Sequence, residues 1–455
     1  MIKVYINIFK KYPLIILTLG FTYGATIVFT FFGPVLTITA GGFAPILSII
    51  AVAFHVFGFF LKPFKLEGHP KFFCVFLGLL LPLILSFHIL PYYLKIITTM
   101  LYAYMIGRIG CLWTYTAKLA IPNFIRGKII SLSLFISFTI LYFINMNFSL
   151  LTKGIALIIP ALMSSISVIL YLKTSQKYKD NIVRNNDETL NTIHPYFVYI
   201  FLIVVYIAGG FSYAGIYPYF KLYAHIDRYY NVLFYLVSII LAGIVLDKYG
   251  RKINFVLGVG LLGISFTFFI MPSSIVTYFI TQTFLQSGWA FVNAFGWSFS
   301  WDMAERSKKD YLFPRGISAM LSGAAIGAFL SQIIEKVGFG NSSIYGIVTF
   351  IPLFLAIMIL IFFPETLNTN KDKKITFNEL QQIEELKILT PRELEVCYHI
   401  INGCNNKRIS KILFISENTV KTHISRIYSK LYISSRGELK NCIDKLVKDH
   451  PMLKV

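Results

Sequence analysis

The sequence predicts an all-α chain with about twelve membrane-spanning helices in two sets of six, followed by a small domain of four helices. Three observations carry that expectation. The 455 residues are 56% hydrophobic and only 14% charged, whereas soluble domains carry about 25% charged residues. Long apolar runs recur up to residue 363 and then cease. Beyond that point the chain shows capped, amphipathic helical periods instead.

Windows of about 19 residues give apolar stretches near 14–36, 43–61, 72–90, 93–117, 129–148, 154–172, 196–218, 230–246, 253–271, 275–301, 316–335 and 343–363. Most suit a hydrocarbon core of ~30 Å, which needs about 20 helical residues. The first run is too long for a signal-peptide core and no Ala-x-Ala-like site follows it, so an uncleaved span is expected. With the N-terminus inside, twenty basic residues between Lys3 and Arg315 fall on inner segments and five (Lys95, Lys153, Lys221, Arg228, Lys336) on outer ones. This bias predicts a multi-pass membrane protein with both termini cytoplasmic. The polar segment 173–195 follows the sixth span. The expected domains are therefore a first membrane half (1–172), an inter-half loop (173–195), a second half (196–364), a linker (365–387) and a soluble tail (388–450).

The formal net charge is +21, which lipid-facing helices cannot host. It falls mainly on inner loops and partly on the tail, matching two anionic surfaces, the inner leaflet of a bilayer and nucleic acid. The five cysteines are scattered singly, so neither a disulfide framework nor a metal site is expected. No cofactor and no enzymatic activity are expected.

Between spans eight and nine the chain reads Gly243-Ile-Val-Leu-Asp247-Lys248-Tyr-Gly250-Arg251-Lys252. Gly243 permits close helix approach, Gly250 a tight turn, and Asp247 can face the positive end of a neighbouring helix. This gating motif resembles the cytoplasmic-loop signature of the major facilitator superfamily, and with the six-plus-six layout the resemblance covers roughly residues 1–365. Pro364-Glu365-Thr366 is similar to the ending common there. The first-half loop departs from the pattern: Gly58 is followed by Lys62 where the family usually has Asp, and no Gly-Arg-Lys ending appears up to Lys71.

Proton-coupled carriers generally use a membrane-buried carboxylate. Here Glu67 is the only acidic residue from Met1 to Lys179, Asp247 and Asp302 fall near the inner face, and Glu335 near the outer one. His55 and His88 are expected to donate hydrogen bonds within the bundle rather than relay protons. Arg108, flanked by Gly107 and Gly110, falls near the middle of span four. A buried cation there has two readings: a contact to an anionic small-molecule ligand such as a carboxylate, or a structural hydrogen bond to helix carbonyls. In span ten, Trp289, Asn293, Trp297 and Trp301 recur at i, i+4 steps after Gln282 and Gln286. Trp289, Asn293 and Trp297 are candidates to line a ligand cavity or to pack between helices, and Trp301 is expected to anchor at the membrane interface. Gly323-x-x-x-Gly327 is expected to make a close helix contact.

In the tail, Thr390-Pro391-Arg392-Glu393 forms a capping box before the apolar stripe Leu394, Val396, Cys397, Ile400 and Ile401, and Gly403 stops that helix. Asn406 to Leu413 reads as a short helix, Phe414-Ile415 as a turn, and Ser416 as the cap of a third helix, Glu417 to Leu431. Val420, Ile424, Ile427 and Leu431 face inward, leaving Lys421, Thr422, Ser425, Arg426 and Lys430 outside. A basic, polar face on such a helix suits the major groove of double-stranded DNA. A fourth helix, 435–448, carries Leu439, Ile443 and Leu446.

The passage Leu389 to Val447 resembles the LuxR-type DNA-binding domain through Leu-Thr-Pro-Arg-Glu, Gly403, Asn406-Lys407, Ile409, Ser416-Glu417-Asn418-Thr419-Val420-Lys421-Thr422-His423, Lys430-Leu431 and Arg436. The resemblance implies that Lys421, Thr422 and Ser425 read bases, that Lys407 and Lys430 meet phosphates, that Asn406 belongs to the DNA-binding set, and that the fourth helix mediates dimerisation. Ser410 replaces the usual alanine, and Tyr432 stands where glycine or asparagine is common. The layout resembles membrane-bound LuxR-family regulators. It implies a one-component transcription regulator whose bundle senses a small molecule, with a facilitator carrying an autoregulatory DNA-binding tail as the alternative. The linker offers Leu380, Ile383 and Leu386 at helical spacing; as a free coil its residues would span about 25 Å.

Overall fold

The computed structural model describes residues 2–30, 34–61, 69–121, 125–178, 195–216, 220–307, 309–338, 342–362, 377–381, 383–402, 404–433, 436, 438–439, 442–443 and 446. Glu67, Gly403, Pro364-Glu365-Thr366, most of the inter-half loop and residues 365–376 of the linker lie outside them. The chain divides into two compact units, 1–370 and 371–455. Among the described residues there is no strand.

The first unit opens with amphipathic α1 (Ile2–Lys11), then α2 (Pro13–Ala25), α3 (Pro34–Ala40), α4 (Ala44–Phe60), α5 (His69–Leu85), α6 (Tyr92–Ala120), α7 (Arg126–Met146) and α8 (Lys153–Lys177). The second half follows as α9 (Pro195–Phe211), a short α10 (Ala224–Tyr230), α11 (Leu233–Tyr249), α12 (Arg251–Phe269), α13 (Ile275–Arg306), α14 (Leu312–Lys336) and α15 (Ser342–Phe362). Each expected span falls on one of these helices, except the first, which takes in α2 and the start of α3, and 7 stretches among the described residues are long and apolar enough to cross a membrane.

The two halves repeat one device. α2 continues into a π-helical turn, Thr26–Thr30, and α9 into another, Ser212–Ile216. On α2 the cause is legible, because Thr18, Thr22, Thr26 and Thr30 stand at four-residue steps, all buried. Their hydroxyls donate to the carbonyls of Leu14, Thr18, Thr22 and Thr26. Such back-bonding competes with the helical ladder and bends it. Ser212 does the same to Ala208 at 2.8 Å.

Small residues let backbones touch in both halves. A Cβ on Gly107 would lie 2.4 Å from the His55 carbonyl oxygen, and one on Gly58 2.6 Å from that of Tyr104, so α4 and α6 cross at glycine. In the second half a Cβ on Gly327 would meet the Ile207 carbonyl oxygen at 2.0 Å, and one on Gly323 that of Ile203 at 2.4 Å. The Gly323/Gly327 pair thus seats α14 on α9, the close contact expected from its spacing. Backbone cannot yield as a flexible side chain can, so Gly327→Val is expected to separate α9 from α14. Loss of the monodisperse species in size-exclusion chromatography of the detergent-solubilised protein would register it.

The second unit contains α16 (Phe377–Gln381), α17 (Pro391–Ile401), α18 (Asn406–Leu413) and α19 (Glu417–Leu431). Of the fourth tail helix, Leu439 and Ile443 are described and fully buried. Leu380, Ile383 and Leu386, placed in the linker by the sequence, are 0–1% exposed and belong to the same core as Val396, Cys397, Val420 and Ile427. The folded unit therefore extends upstream of Ile388.

Candidate functional site

Each unit carries one candidate site, beginning with the tail. Thr390 and Glu393 close the expected capping box: Glu393 Oε2 accepts from the Thr390 backbone N–H at 2.8 Å, and Thr390 Oγ1 from that of Glu393 at 3.3 Å. Asn405 Oδ1 accepts from Arg408 N–H at 2.9 Å, and Ser416 Oγ from Thr419 N–H at 3.0 Å, starting α18 and α19. The two helices join through Phe414 and Ile415, with Ile409, Val420 and Ile427 fully buried beneath. This is a helix-turn-helix. Lys421, Thr422, Ser425 and Arg426 are exposed along one side of α19, and Lys407 is exposed on α18.

Two residues expected at DNA have intramolecular partners. The Lys430 ammonium donates to Glu393 Oε2 at 2.7 Å and to the Ile388 carbonyl at 3.1 Å, tying α19 to the start of α17. Asn406 Oδ1 accepts from the Arg436 guanidinium, which also holds the Cys404 carbonyl at 2.8 Å. The sequence pattern alone does not separate such ties from contacts to DNA, because both use polar residues on the same helices.

Burial alone would raise the Glu393 pKa, but the Lys430 ammonium and the Thr390 N–H and hydroxyl outweigh it and hold the carboxyl below its usual value. A depressed folded-state pKa stabilises above the unfolded value, about 4.3 for Glu, and that stability is lost as pH falls through the lower folded-state value. Acid melting of the tail should therefore steepen below about pH 4.3 in the native chain and flatten in Glu393→Gln. Circular dichroism against pH measures both.

Phe414 (φ 52°) and Tyr432 (φ 54°) end α18 and α19 in the left-handed region, and their side chains are 94% and 96% exposed. Glycine is the unstrained residue at such ends. With no packing to lose, Phe414→Gly is expected to stabilise the tail by about 1 kcal/mol, measured by denaturant unfolding.

In the bundle, the end carrying the basic loops holds a buried ion cluster. Asp302 on α13 accepts from Arg251 at 2.8 and 3.2 Å and from Arg126 on α7 at 3.1 Å, with Glu305 also against Arg126. Asp247 accepts from the backbone N–H groups of Gly127 (2.8 Å) and Lys128 (3.1 Å) and from the Lys128 ammonium (2.9 Å). It thus faces the N-terminus of α7, the positive helix end its motif anticipates. Gly250, at φ 93°, makes the turn between α11 and α12. Lys252 is half-buried beside it on α12. A Cβ on Gly243 would meet the Ser131 Oγ at 2.6 Å and the Tyr5 hydroxyl at 2.7 Å. That hydroxyl donates to the Ile240 carbonyl at 2.7 Å, so α1 also reaches the second half. The ties between Arg126, Tyr5 and their partners have no local sequence signal, because they join positions more than 170 apart.

Trp301, expected at the membrane interface, is instead wholly buried. α13 runs on to Arg306, so Trp301 lies more than a turn inside the helix end, where Phe313 stacks on it at 5.0 Å and the Arg126 guanidinium covers it. Arg108 is 1% exposed and donates to the carbonyls of Gly58 (3.1 Å) and Leu61 (2.8 Å). These bonds tie α6 to the C-terminal end of α4.

Midway along α13 a different surface appears. Asn293 Oδ1 accepts from the Tyr206 hydroxyl at 2.9 Å, and its amide donates to the Tyr235 hydroxyl at 3.1 Å. Phe138 of the first half stacks on Tyr235 at 3.7 Å, and Tyr23 of the first half meets Trp297 edge-on at 5.8 Å. Trp297 itself is a core ring between Tyr23, Trp113 and Phe313. Trp289 lies against Gly209, which leaves room for its ring.

Residues 387–441 match the family model described as bacterial regulatory proteins, luxR family. The tail is 48% identical over 61 residues to the transcriptional regulatory protein LnrK of Bacillus subtilis, covering 13% of this chain and 28% of that protein. It is 39% identical over 68 residues to DegU of Brevibacillus brevis, covering 15% and 29%. The chain thus spans under a third of the length of these relatives. The proton:xylose symporter XylE, a major facilitator superfamily protein bound to 6-bromo-6-deoxy-D-glucose, superposes with a TM-score of 0.59 at 14% identity, over 78% of this chain and 95% of XylE. A bacterial homologue of the iron transporter ferroportin gives 0.52 at 13% identity, over 77% and 98%. The chain carries a LuxR-type regulatory domain at its C-terminal end and, before it, a helical bundle with the major facilitator fold.

Proposed function

We propose that the protein is a membrane-tethered, one-component transcription regulator of the bacterial inner membrane, with both termini in the cytoplasm. A small molecule binds between the two bundle halves and shifts their equilibrium, which changes how the LuxR-type tail, acting as a dimer, occupies double-stranded DNA. The observation that carries this reading is a helix-turn-helix with a fully exposed basic face on α19, fused in one chain to a bundle whose halves are tied at one end by buried charges. A ligand can drive such a shift only through different affinity for the two arrangements. The gating residues Gly243, Asp247, Gly250, Arg251 and Lys252 then regulate the tie at the basic end, and Trp289, Asn293 and Trp297 belong to the ligand-responsive centre.

Promoter occupancy tests the DNA-binding part. Chromatin immunoprecipitation should show specific sites for the native chain and none for a Lys421→Ala, Arg426→Ala double variant; equal occupancy would sink the reading. A second reading, a facilitator with an autoregulatory tail, is favoured by the fold shared with transporters. It predicts solute uptake by the purified chain in liposomes, whereas the sensor reading predicts binding without net flux.

A further inference from the structure

The buried charges of the bundle are gathered away from its middle. Asp302, Arg126, Arg251, Asp247 and Lys128 pair with one another at the basic end, and Arg108 caps α4. Asp227 lies toward the opposite end of α13, where its carboxylate accepts from Tyr278 at 2.7 Å and from Asn231 at 3.0 Å, and Asn231 in turn accepts from the Gln286 amide at 2.5 Å. Between them α13 presents one stripe of neutral hydrogen-bonding groups: Gln282, Gln286, Trp289 and Asn293, spaced by four, three and four residues and so on one face.

Part of that stripe is unsatisfied. Gln282 is 1% exposed, yet neither its amide nitrogen nor its amide oxygen has a partner. The buried indole N–H of Trp289 has none either. Buried polar groups are normally hydrogen-bonded. Gln282 asks for a donor and an acceptor together, and Trp289 for an acceptor. An anion would leave the Gln282 N–H and O needing opposite partners, and no cation stands on this stripe among the described residues; for a cation, the Asp227 carboxylate is already held by Tyr278 and Asn231 and reaches the stripe only through the Asn231–Gln286 bond. A purely apolar molecule would satisfy neither group.

We propose, resting on the sensing reading above, that the ligand of this bundle is an uncharged molecule with hydroxyl or amide groups and a flat apolar face. Its polar edge meets Gln282, Trp289 and the Asn293 amide clamped by Tyr206 and Tyr235. Its flat face lies on the Trp289 and Tyr206 rings, whose centroids are 6.1 Å apart. Hydroxyls and amides suit such a site because each supplies both donor and acceptor.

The test is thermal melting of the purified full chain with matched triplets of probes: methyl glucoside, glucuronate and glucosamine; benzamide, benzoate and benzylamine. In at least one triplet the uncharged member should raise the melting temperature by about 3 °C or more and its charged partners by less. Trp289→Phe, which keeps an aromatic ring but removes the N–H, should weaken that probe about tenfold, as should Gln282→Leu, each shift being read against the variant's own unliganded melting temperature. A charged member stabilising more than its uncharged counterpart, or no probe stabilising at all, overturns the proposal. Operator binding with the stabilising probe separates this from the sensing reading: a probe that binds through Trp289 but leaves DNA binding unaltered defeats sensing alone.

Discussion

Asp302→Ala is expected to destabilise the bundle by about 3–5 kcal/mol, the usual cost of removing one partner from a buried ion pair. The side chains of Asp302, Arg126 and Arg251 are only 1–2% exposed. Two guanidiniums lose a shared carboxylate, and neither can turn to water without separating α7 from α12 and α13. Melting of the detergent-solubilised protein reads the loss. The cluster joins the two halves through Arg126, so a double-mutant cycle of Asp302→Ala with Arg126→Leu should show coupling of about 0.5–3 kcal/mol. Additive losses would mean that the tie between halves is energetically idle. Asp302→Asn, which keeps the acceptor oxygen, should cost less than Asp302→Ala.

The second large effect concerns DNA. Lys421→Ala removes an exposed cation from the N-terminal part of α19 without touching Val420 or Ile427 beneath it, so the tail should fold normally. A base-edge contact is worth about 1–3 kcal/mol, so operator affinity should fall roughly 5–150-fold, with specificity relaxed at one base pair. Lys407→Ala should behave differently, weakening all sequences alike and reducing the slope of log affinity against log salt by about 1. Lys430→Ala should mainly lower the stability of the tail, because its ammonium holds Glu393 and Ile388. Gel-shift titrations across salt concentrations distinguish the three.

How much was legible in the sequence follows from the range of the interactions. Local signals were accurate: Thr390, Ser416 and Gly250 end or begin elements where their chemistry demands, and α17 to α19 fall at the expected residues. Apolar runs also located the spans. What pattern could not supply was the partner of a buried polar residue. For Arg108 the sequence shows a buried cation but not the α4 carbonyls that its guanidinium meets. Trp301 reads as interfacial because it adjoins Asp302, and Asn293 stands in the sequence without Tyr206 and Tyr235, which lie 87 and 58 positions away. The apolar residues Leu380, Ile383 and Leu386 show a helical period, but not that the tail's core claims them.

In the proposed function the bundle informs the tail. The most direct measurement compares a reporter driven by the chain's own operator under the full chain and under a chimera in which residues 1–364 are replaced by an unrelated membrane anchor, with and without the stabilising ligand. Ligand-dependent expression is expected with the native bundle and ligand-blind expression with the chimera. An identical response from both would contradict it.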